Sequence, residues 1–231
     1  MAEVATTEFL AQLEALYPEP AEGALSAWAF VAATAFSASN LPEAVPLVFR
    51  YAIRNLKTDG ERLLVVRKIK DALFKSGLLS GFPKAINALA QLHTVVPETL
   101  RDIVPLRDVS LALDDLETAG QAFFSGTYGE TADSVQNFLK EIYPDLERFS
   151  TVFGYGYTYS FTEVLSAVET SFTMIAALIA SDVPRQISWH LQGALRNGAS
   201  KEEVRAVRQI AVEVSRKAGV VWKHEIPDIL S

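Results

Sequence analysis

His190 is the side chain in this sequence best placed to move a proton, and Glu169 is the acid that accompanies it. Residues 183–197 show a helical pattern in which His190 lies about 60° from the apolar Ile187. Glu169 lies about 60° from Phe172, beside the apolar face of the preceding helical pattern. An imidazole half-buried in an apolar interface is held neutral and can accept or donate a proton. These positions predict acid–base catalysis by His190, with Glu169 orienting the ring or sharing the proton.

Both residues also have a purely structural interpretation, and the sequence leaves it open. A histidine on an apolar face can simply donate its N–H to a backbone carbonyl in the core. Ser166 and Glu169 have the S-x-x-E spacing of a capping box, in which side chain and backbone satisfy each other at a helix start. Glu169 can therefore hold a helix end and also take part in chemistry.

Tyr155, Tyr157 and Arg185 are the predicted substrate-binding residues. The two tyrosines alternate with Tyr159 next to glycines, and the three could bring phenol hydroxyls to a pocket, although aromatic packing at a helix end is the alternative. Arg185 falls in the first turn of a predicted helix. There its guanidinium could join free backbone N–H groups in holding a substrate carboxylate.

Composition excludes several classes of chemistry. The chain has no cysteine, which excludes disulfides, thiolate metal sites and thiol nucleophiles. Neither metal-ligand spacing nor a phosphate-binding glycine loop occurs, so we expect no metal and no cofactor. A formal net charge of −7 without a cluster of Lys and Arg argues against nucleic acid as a partner.

Hydropathy and the first residues of the sequence predict a location away from membranes. The longest apolar runs, residues 27–38 and 172–180, are shorter than the roughly 20 residues needed to cross a bilayer. The first 20 residues contain acids and no Lys or Arg, unlike a secretory signal or a transit peptide. We therefore expect a cytosolic protein.

Apolar residues recur at helical spacing along the whole chain, and no segment is predicted as a strand, so the fold class is all-α. Prolines, glycines and capping residues divide the pattern into helices. The predicted helices cover about residues 7–17, 23–38, 42–56, 60–75, 82–94, 114–125, 131–143, 145–157, 166–180, 183–197 and 201–217.

The sequence repeats itself at an offset of 142 residues. Eight of the thirty residue pairs from 27/169 to 56/198 are identical, against about two expected from ordinary residue frequencies. The capping-box pattern at residues 58–61 recurs at residues 200–203. We infer two degenerate repeats, residues 1–95 and 114–231, joined by a connection over residues 96–113. Chance similarity between two Ala- and Leu-rich helical hairpins is the alternative.

The second half carries the most specific motif in the chain. Residues 190–204 read His-Leu-x-x-Ala-Leu-x-x-Gly-Ala-Ser-x-Glu-Glu-Val, and they follow Tyr128-Gly129, Tyr155-Gly156-Tyr157, Leu165-Ser166 and Glu169. With these residues the chain resembles the carboxymuconolactone decarboxylase family, which includes the alkylhydroperoxidase D-like proteins. Residues 81–89 are similar to the segment that closes the family fold. The resemblance implies the all-helical alkylhydroperoxidase D-like fold and a homo-oligomer.

Two functions follow from this resemblance. The peroxidase branch of the family has cysteines at the places of Val183 and Gln186, so thiol peroxidase chemistry is not expected. The decarboxylase branch implies cofactor-free decarboxylation or isomerisation of a small acidic lactone or keto acid, with His190 and Glu169 as catalytic residues. The alternative is a non-catalytic binding or scaffold protein that kept the fold after losing peroxidase chemistry.

Overall fold

A computed structural model describes residues 4–20 and 25–229, and within these ranges the chain forms eleven α-helices and no strand. The predicted all-α fold is therefore confirmed. Between the α-helices lie short 3-10 turns and one π-helix, Ser150–Tyr159. The α-helices are α1 (Thr7–Leu16), α2 (Trp28–Ala38), α3 (Val45–Ala52), α4 (Asp59–Ser80), α5 (Phe82–His93), α6 (Leu113–Tyr128), α7 (Ala132–Ile142), α8 (Pro144–Phe149), α9 (Ala167–Ala180), α10 (Pro184–Arg196) and α11 (Lys201–Lys217).

One hydrophobic core contains residues from both predicted repeats. Its centre is formed by α2, α4, α9 and α11, which pack against one another. Every residue of α2 is buried, and α9 is buried from Thr170 to Ala180, because both helices are apolar on all sides. No helix in the described ranges is long and apolar enough to cross a membrane.

Local geometry recurs at the same 142-residue offset as the sequence. Asn40 and Asp182 occupy equivalent positions, and both have a left-handed backbone, with φ of 58° and 55°. Thr58 and Ser200 are also equivalent, and each closes a complete capping box at the start of α4 or α11. Helices α2 and α9 end at equivalent residues, Ala38 and Ala180, and helices α4 and α11 begin at equivalent residues, Asp59 and Lys201. The bounds of the two repeats remain predictions, since the core does not divide between them.

Several predicted helix boundaries differ from those in the structure. Helix α4 continues through Gly77 to Ser80. Gly77 does not end the helix but makes room for the Phe82 ring, which would lie 2.8 Å from a Cβ at residue 77. Helix α6 likewise passes Gly126 and ends before Gly129, whose φ is 56°. For the second predicted helix, residues 23 and 24 lie outside the described residues, and α2 is seen from Trp28.

Residues 150–159 form a π-helix, where the sequence predicted that a helix would end near residue 157 in a loop. This π-helix continues directly from α8 and packs backbone to backbone on α6. A Cβ on Gly120 of α6 would lie 1.9 Å from the carbonyl oxygen of Thr151, and one on Gly156 would lie 2.2 Å from that of Leu116. Glycine at both positions is what allows the two helices to approach so closely.

Candidate functional site

A cavity of about 260 Å³ lies between the π-helix and α10. Seven elements contribute to its wall, namely α4, α6, α7, α8, the π-helix, α9 and α10. Most of the lining side chains are aliphatic or aromatic, and none of the described lining residues is charged. The polar members of the wall are Tyr128, Ser150, Tyr155, Tyr159, Gln186, Trp189 and His190.

His190 lines this cavity from α10. One turn further along α10, Gly193 lets the helix approach α6, where an added Cβ would lie 2.9 Å from the Thr127 side chain. This close approach places the imidazole beside Tyr128, with the two ring centroids 5.7 Å apart. His190 is only 3% exposed, and this burial lowers its pKa to about 4. The ring is therefore neutral at pH 7, as the sequence predicted.

Three tyrosines accompany His190 at the cavity. The hydroxyl of Tyr155 donates to that of Tyr128 over 3.2 Å, and the Tyr155 and Tyr159 rings lie edge to face with centroids 5.3 Å apart. Burial raises the pKa of all three phenols, so they stay protonated. Tyr155 was predicted as a binding residue and Tyr159 was considered with it, whereas Tyr128 was not assigned to the site. Their positions depend on how α6 and the π-helix cross, which the sequence does not show.

Two residues of the cavity wall each contain a buried polar atom with no hydrogen-bond partner within the described ranges, namely Nδ1 of His190 and the hydroxyl oxygen of Tyr159. Buried donors and acceptors are nearly always paired in folded proteins. Both atoms are inaccessible to solvent, so they lie behind the surface of the cavity rather than on it.

Glu169 lies in a different part of the molecule. Its carboxylate accepts from the backbone N–H of Ser166 at 3.0 Å, completing the capping box of α9, and it forms an ion pair with Lys68 of α4. It lines a separate cleft of about 440 Å³ with Tyr17 and Phe172. Neither its hydrogen bonds nor its ion pair involve His190, so the structure does not bring the two predicted catalytic residues together.

Tyr157 and Arg185 do not line the cavity. The backbone carbonyl of Tyr157 accepts from Arg107 over 3.2 Å. Arg185 is exposed, with its guanidinium carbon 6.0 Å from the centre of the Phe138 ring. Of the predicted binding residues, Tyr155 alone contributes to the cavity wall.

A buried charged cluster, Asp71, Lys75 and Arg107, lies outside the cavity wall and was not predicted. Lys75 is fully buried and donates to Thr170 Oγ1 at 2.7 Å and to the Phe161 carbonyl at 2.8 Å. Its burial lowers its pKa to about 8, although Asp71, with Oδ2 at 3.2 Å, opposes the shift. Within the described residues, no group of three or more His, Asp or Glu side chains is arranged to hold a metal ion.

Residues 144–221, which include α8, the π-helix and α9–α11, match the model of the carboxymuconolactone decarboxylase family. Among curated proteins, "Peroxisomal protein 2" of Schizosaccharomyces pombe is 35% identical over 199 residues, covering 85% of this chain and 89% of that protein. The chain belongs to the carboxymuconolactone decarboxylase family. "Peroxisomal protein 2" of Saccharomyces cerevisiae is 28% identical, and the alignment covers 96% of this chain and 98% of that protein.

The family resemblance predicted from the sequence is thus confirmed, but the predicted cytosolic location is wrong. Both relatives are named as peroxisomal proteins. The prediction failed because charge and hydropathy near the start of a chain report on secretory and transit segments. Peroxisomal addresses are short sequences read by a receptor and need neither property.

Proposed function

We propose that this protein is a non-catalytic binding protein that uses the carboxymuconolactone decarboxylase fold to hold a small molecule beside His190. The observation that supports this most directly is the separation of the two ionisable residues. His190 lines an uncharged cavity, while the carboxylate of Glu169 is occupied by Lys68 and by the capping box of α9.

The alternative, decarboxylation or isomerisation of a small acidic lactone or keto acid, has less support from the geometry. An acidic substrate needs a cation or several N–H donors at its carboxylate, since an unpaired buried charge is strongly disfavoured. None of the described residues around the cavity is Lys or Arg, and Arg185 lies outside it. The observation in favour of catalysis is the neutral imidazole of His190, whose Nδ1 has no partner among the described residues.

A turnover screen on lactone acids and keto acids tests this proposal. Wild-type protein and His190→Ala are compared for release of carbon dioxide and for the ultraviolet changes of double-bond shifts. We expect no turnover above the uncatalysed rate in either protein. Turnover by the wild type that falls at least 100-fold in His190→Ala would refute the non-catalytic function.

We further propose a peroxisomal location, on the basis of the names of the two fungal relatives. Subcellular fractionation, with antibody detection of the native protein, should place it with peroxisomal matrix markers. A purely cytosolic distribution would contradict this proposal.

The homo-oligomer implied by the family resemblance stays a prediction. Exposed apolar side chains on α7 and α8, including Ile142 at 55% and Phe149 at 49%, are compatible with it. Light scattering on the purified protein would give the mass, to be compared with 25.3 kDa for one chain.

A further inference from the structure

The cavity between the π-helix and α10 is apolar from its mouth to its buried part. Leu146 and Phe149 of α8 line it and are 41% and 49% exposed, so they lie where the cavity meets the solvent. Phe124 of α6, with Met174 and Leu178 of α9, lines its buried part, and none of the three is more than 4% exposed. A ligand that enters from water thus passes apolar side chains and comes to rest among others.

The polar side chains of this wall offer few free atoms to a ligand. The hydroxyls of Tyr128 and Tyr155 are paired with each other over 3.2 Å. Nδ1 of His190 and the hydroxyl oxygen of Tyr159 are inaccessible to solvent, so neither atom faces the cavity. Contacts with rings and aliphatic side chains would therefore contribute most of the free energy of binding.

The wall also disfavours charged ligands, whatever the sign of their charge. None of the described wall residues is Asp, Glu, Lys or Arg, and burial keeps the imidazole of His190 neutral at pH 7. An ion would lose its hydration on entry and gain no counter-charge, which is strongly unfavourable. The cavity thus selects uncharged molecules, although the whole chain carries a formal net charge of −7.

The volume of the cavity, about 260 Å³, indicates the size of the ligand. A dry apolar cavity of about 150 Å³ in another protein binds benzene, a single ring. Drug-sized ligands occupy pockets of roughly 300–1,000 Å³. A molecule of about two rings lies between these two cases.

Gly154 of the π-helix leaves part of this volume free. It lines the cavity, and the nearest atom to an added Cβ is the carbonyl oxygen of Phe149, 3.8 Å away. By contrast, a Cβ on Gly120 or Gly156 would lie within 2.2 Å of a backbone carbonyl oxygen of the facing helix. Helix packing therefore does not require a glycine at residue 154, and a side chain there would take space from the cavity.

We propose that this cavity binds an uncharged, mainly apolar molecule of about two rings, and that Gly154 leaves the room for it. This inference rests on the proposed binding function and assigns the chemical class of the ligand. It differs from the small acidic molecule predicted from the sequence, because the described wall supplies no charge to pair with a carboxylate.

Three probes that share one ring system test the assignment by equilibrium dialysis at pH 7.5. They are naphthalene, which is uncharged, 2-naphthoate, which is an anion, and 2-naphthylmethylammonium, which is a cation. We expect naphthalene to bind with a Kd about 100-fold below that of either ion, because each ion is desolvated without gaining a counter-charge.

Variants of two glycines locate the binding at the cavity. Gly154→Leu should weaken naphthalene binding about tenfold, because its side chain competes with the ligand for space. Gly154→Ala adds a single carbon and should weaken binding about twofold to threefold, so it remains informative if Gly154→Leu folds poorly. Gly126→Leu and Gly126→Ala are the matched controls and should keep the wild-type Kd. Gly126 lies outside the cavity wall, and the nearest atom to an added Cβ is 3.7 Å away.

The outcomes separate this inference from the proposed function. If either ion binds as tightly as naphthalene, or if the same substitution has equal effects at Gly154 and Gly126, the assigned ligand class or its site is wrong while a binding function stands. If none of the three probes binds the wild-type protein, the ligand class is also wrong. The non-catalytic function is judged independently, by the turnover screen on acidic substrates.

Discussion

At the scale of single residues, the chemistry of this protein is set by the burial of His190. Desolvation is the cause of its lowered pKa, and no charged group contributes to the shift. A general base at pH 7 works best with a pKa near 7, so an imidazole with a pKa of about 4 is a weak base that stays neutral. Such a residue is better suited to hydrogen bonding than to proton abstraction.

The lowered pKa of His190 makes the stability of the protein depend on pH. The ordinary histidine pKa of 6.5 applies to the unfolded chain, so between pH 6.5 and 4 the unfolded state binds the extra proton. The contribution of His190 is thus complete above pH 6.5 and is lost as the pH falls towards 4, by about 3 kcal/mol in total. We expect this loss in urea unfolding curves of the wild type, and its absence in His190→Leu.

The comparison of the two proteins removes the carboxylate titrations that both share. His93→Gln, which changes an exposed histidine outside the cavity, is the matched control. An equal loss of stability on acidification in wild type and His190→Leu would show that folding does not lower the pKa of His190.

At the scale of elements, the cavity depends on the close approach of α6 and the π-helix. A π-helix turns more widely than an α-helix, and its occurrence is frequently associated with functional sites. Here it carries Tyr155 and Tyr159 on the cavity wall, while Gly120 and Gly156 bring its backbone against α6. The glycine between Tyr155 and Tyr157 is thus needed for packing, which the sequence pattern alone did not reveal.

Two glycines of α6 provide a matched test of this packing. A methyl group at Gly120 would clash with the Thr151 carbonyl, so Gly120→Ala should lower the free energy of unfolding by about 3 kcal/mol and perturb ligand binding. At Gly126 the nearest atom to an added Cβ is 3.7 Å away, so Gly126→Ala should be neutral or stabilise by up to about 1 kcal/mol. Urea denaturation of the two variants measures both values, and equal effects would contradict the packing of α6 on the π-helix.

At the scale of the whole molecule, buried charges join distant parts of the chain. Arg107, in the connection between α5 and α6, donates to Asp71 of α4 at 2.7 Å and to the carbonyl of Thr158 in the π-helix at 3.1 Å. Lys75 of α4 continues this cluster to Thr170 of α9. A buried cluster of this kind fixes the relative position of the helices it connects, because none of its members can move without leaving a charge unpaired.

Asp71→Asn should therefore be costly, since it leaves Arg107 without its carboxylate in a site where that side chain is 13% exposed. We expect a loss of about 3 kcal/mol in the free energy of unfolding and faster proteolysis near residues 101–112. Glu98→Gln is the control, because its ion pair with Arg101 spans 4.0 Å and Glu98 is 92% exposed. That control should change stability by less than about 1 kcal/mol.

The shared core predicts that both repeats unfold in one step. Trp28 in α2 and Trp222, whose indole N–H donates to the Ile179 carbonyl of α9, report on different halves of the chain. Two variants are compared, one with Trp28 and the other with Trp222 as its single tryptophan. Both should show the same urea midpoint by fluorescence, and this midpoint should coincide with the one measured by circular dichroism. Two separate midpoints would indicate that the repeats are independent domains.

Sequence by itself determined the all-α class, most helix positions, the capping boxes, the 142-residue repeat and the family, because these depend on local patterns along the chain. It also singled out His190 and Tyr155, and both residues line the cavity. Only the tertiary structure decided that Glu169 pairs with Lys68, that Tyr128 lines the cavity and that Arg107 reaches Asp71. The physical reason is that helical periodicity fixes which face of a helix is buried, whereas the neighbours of that face depend on how remote helices cross.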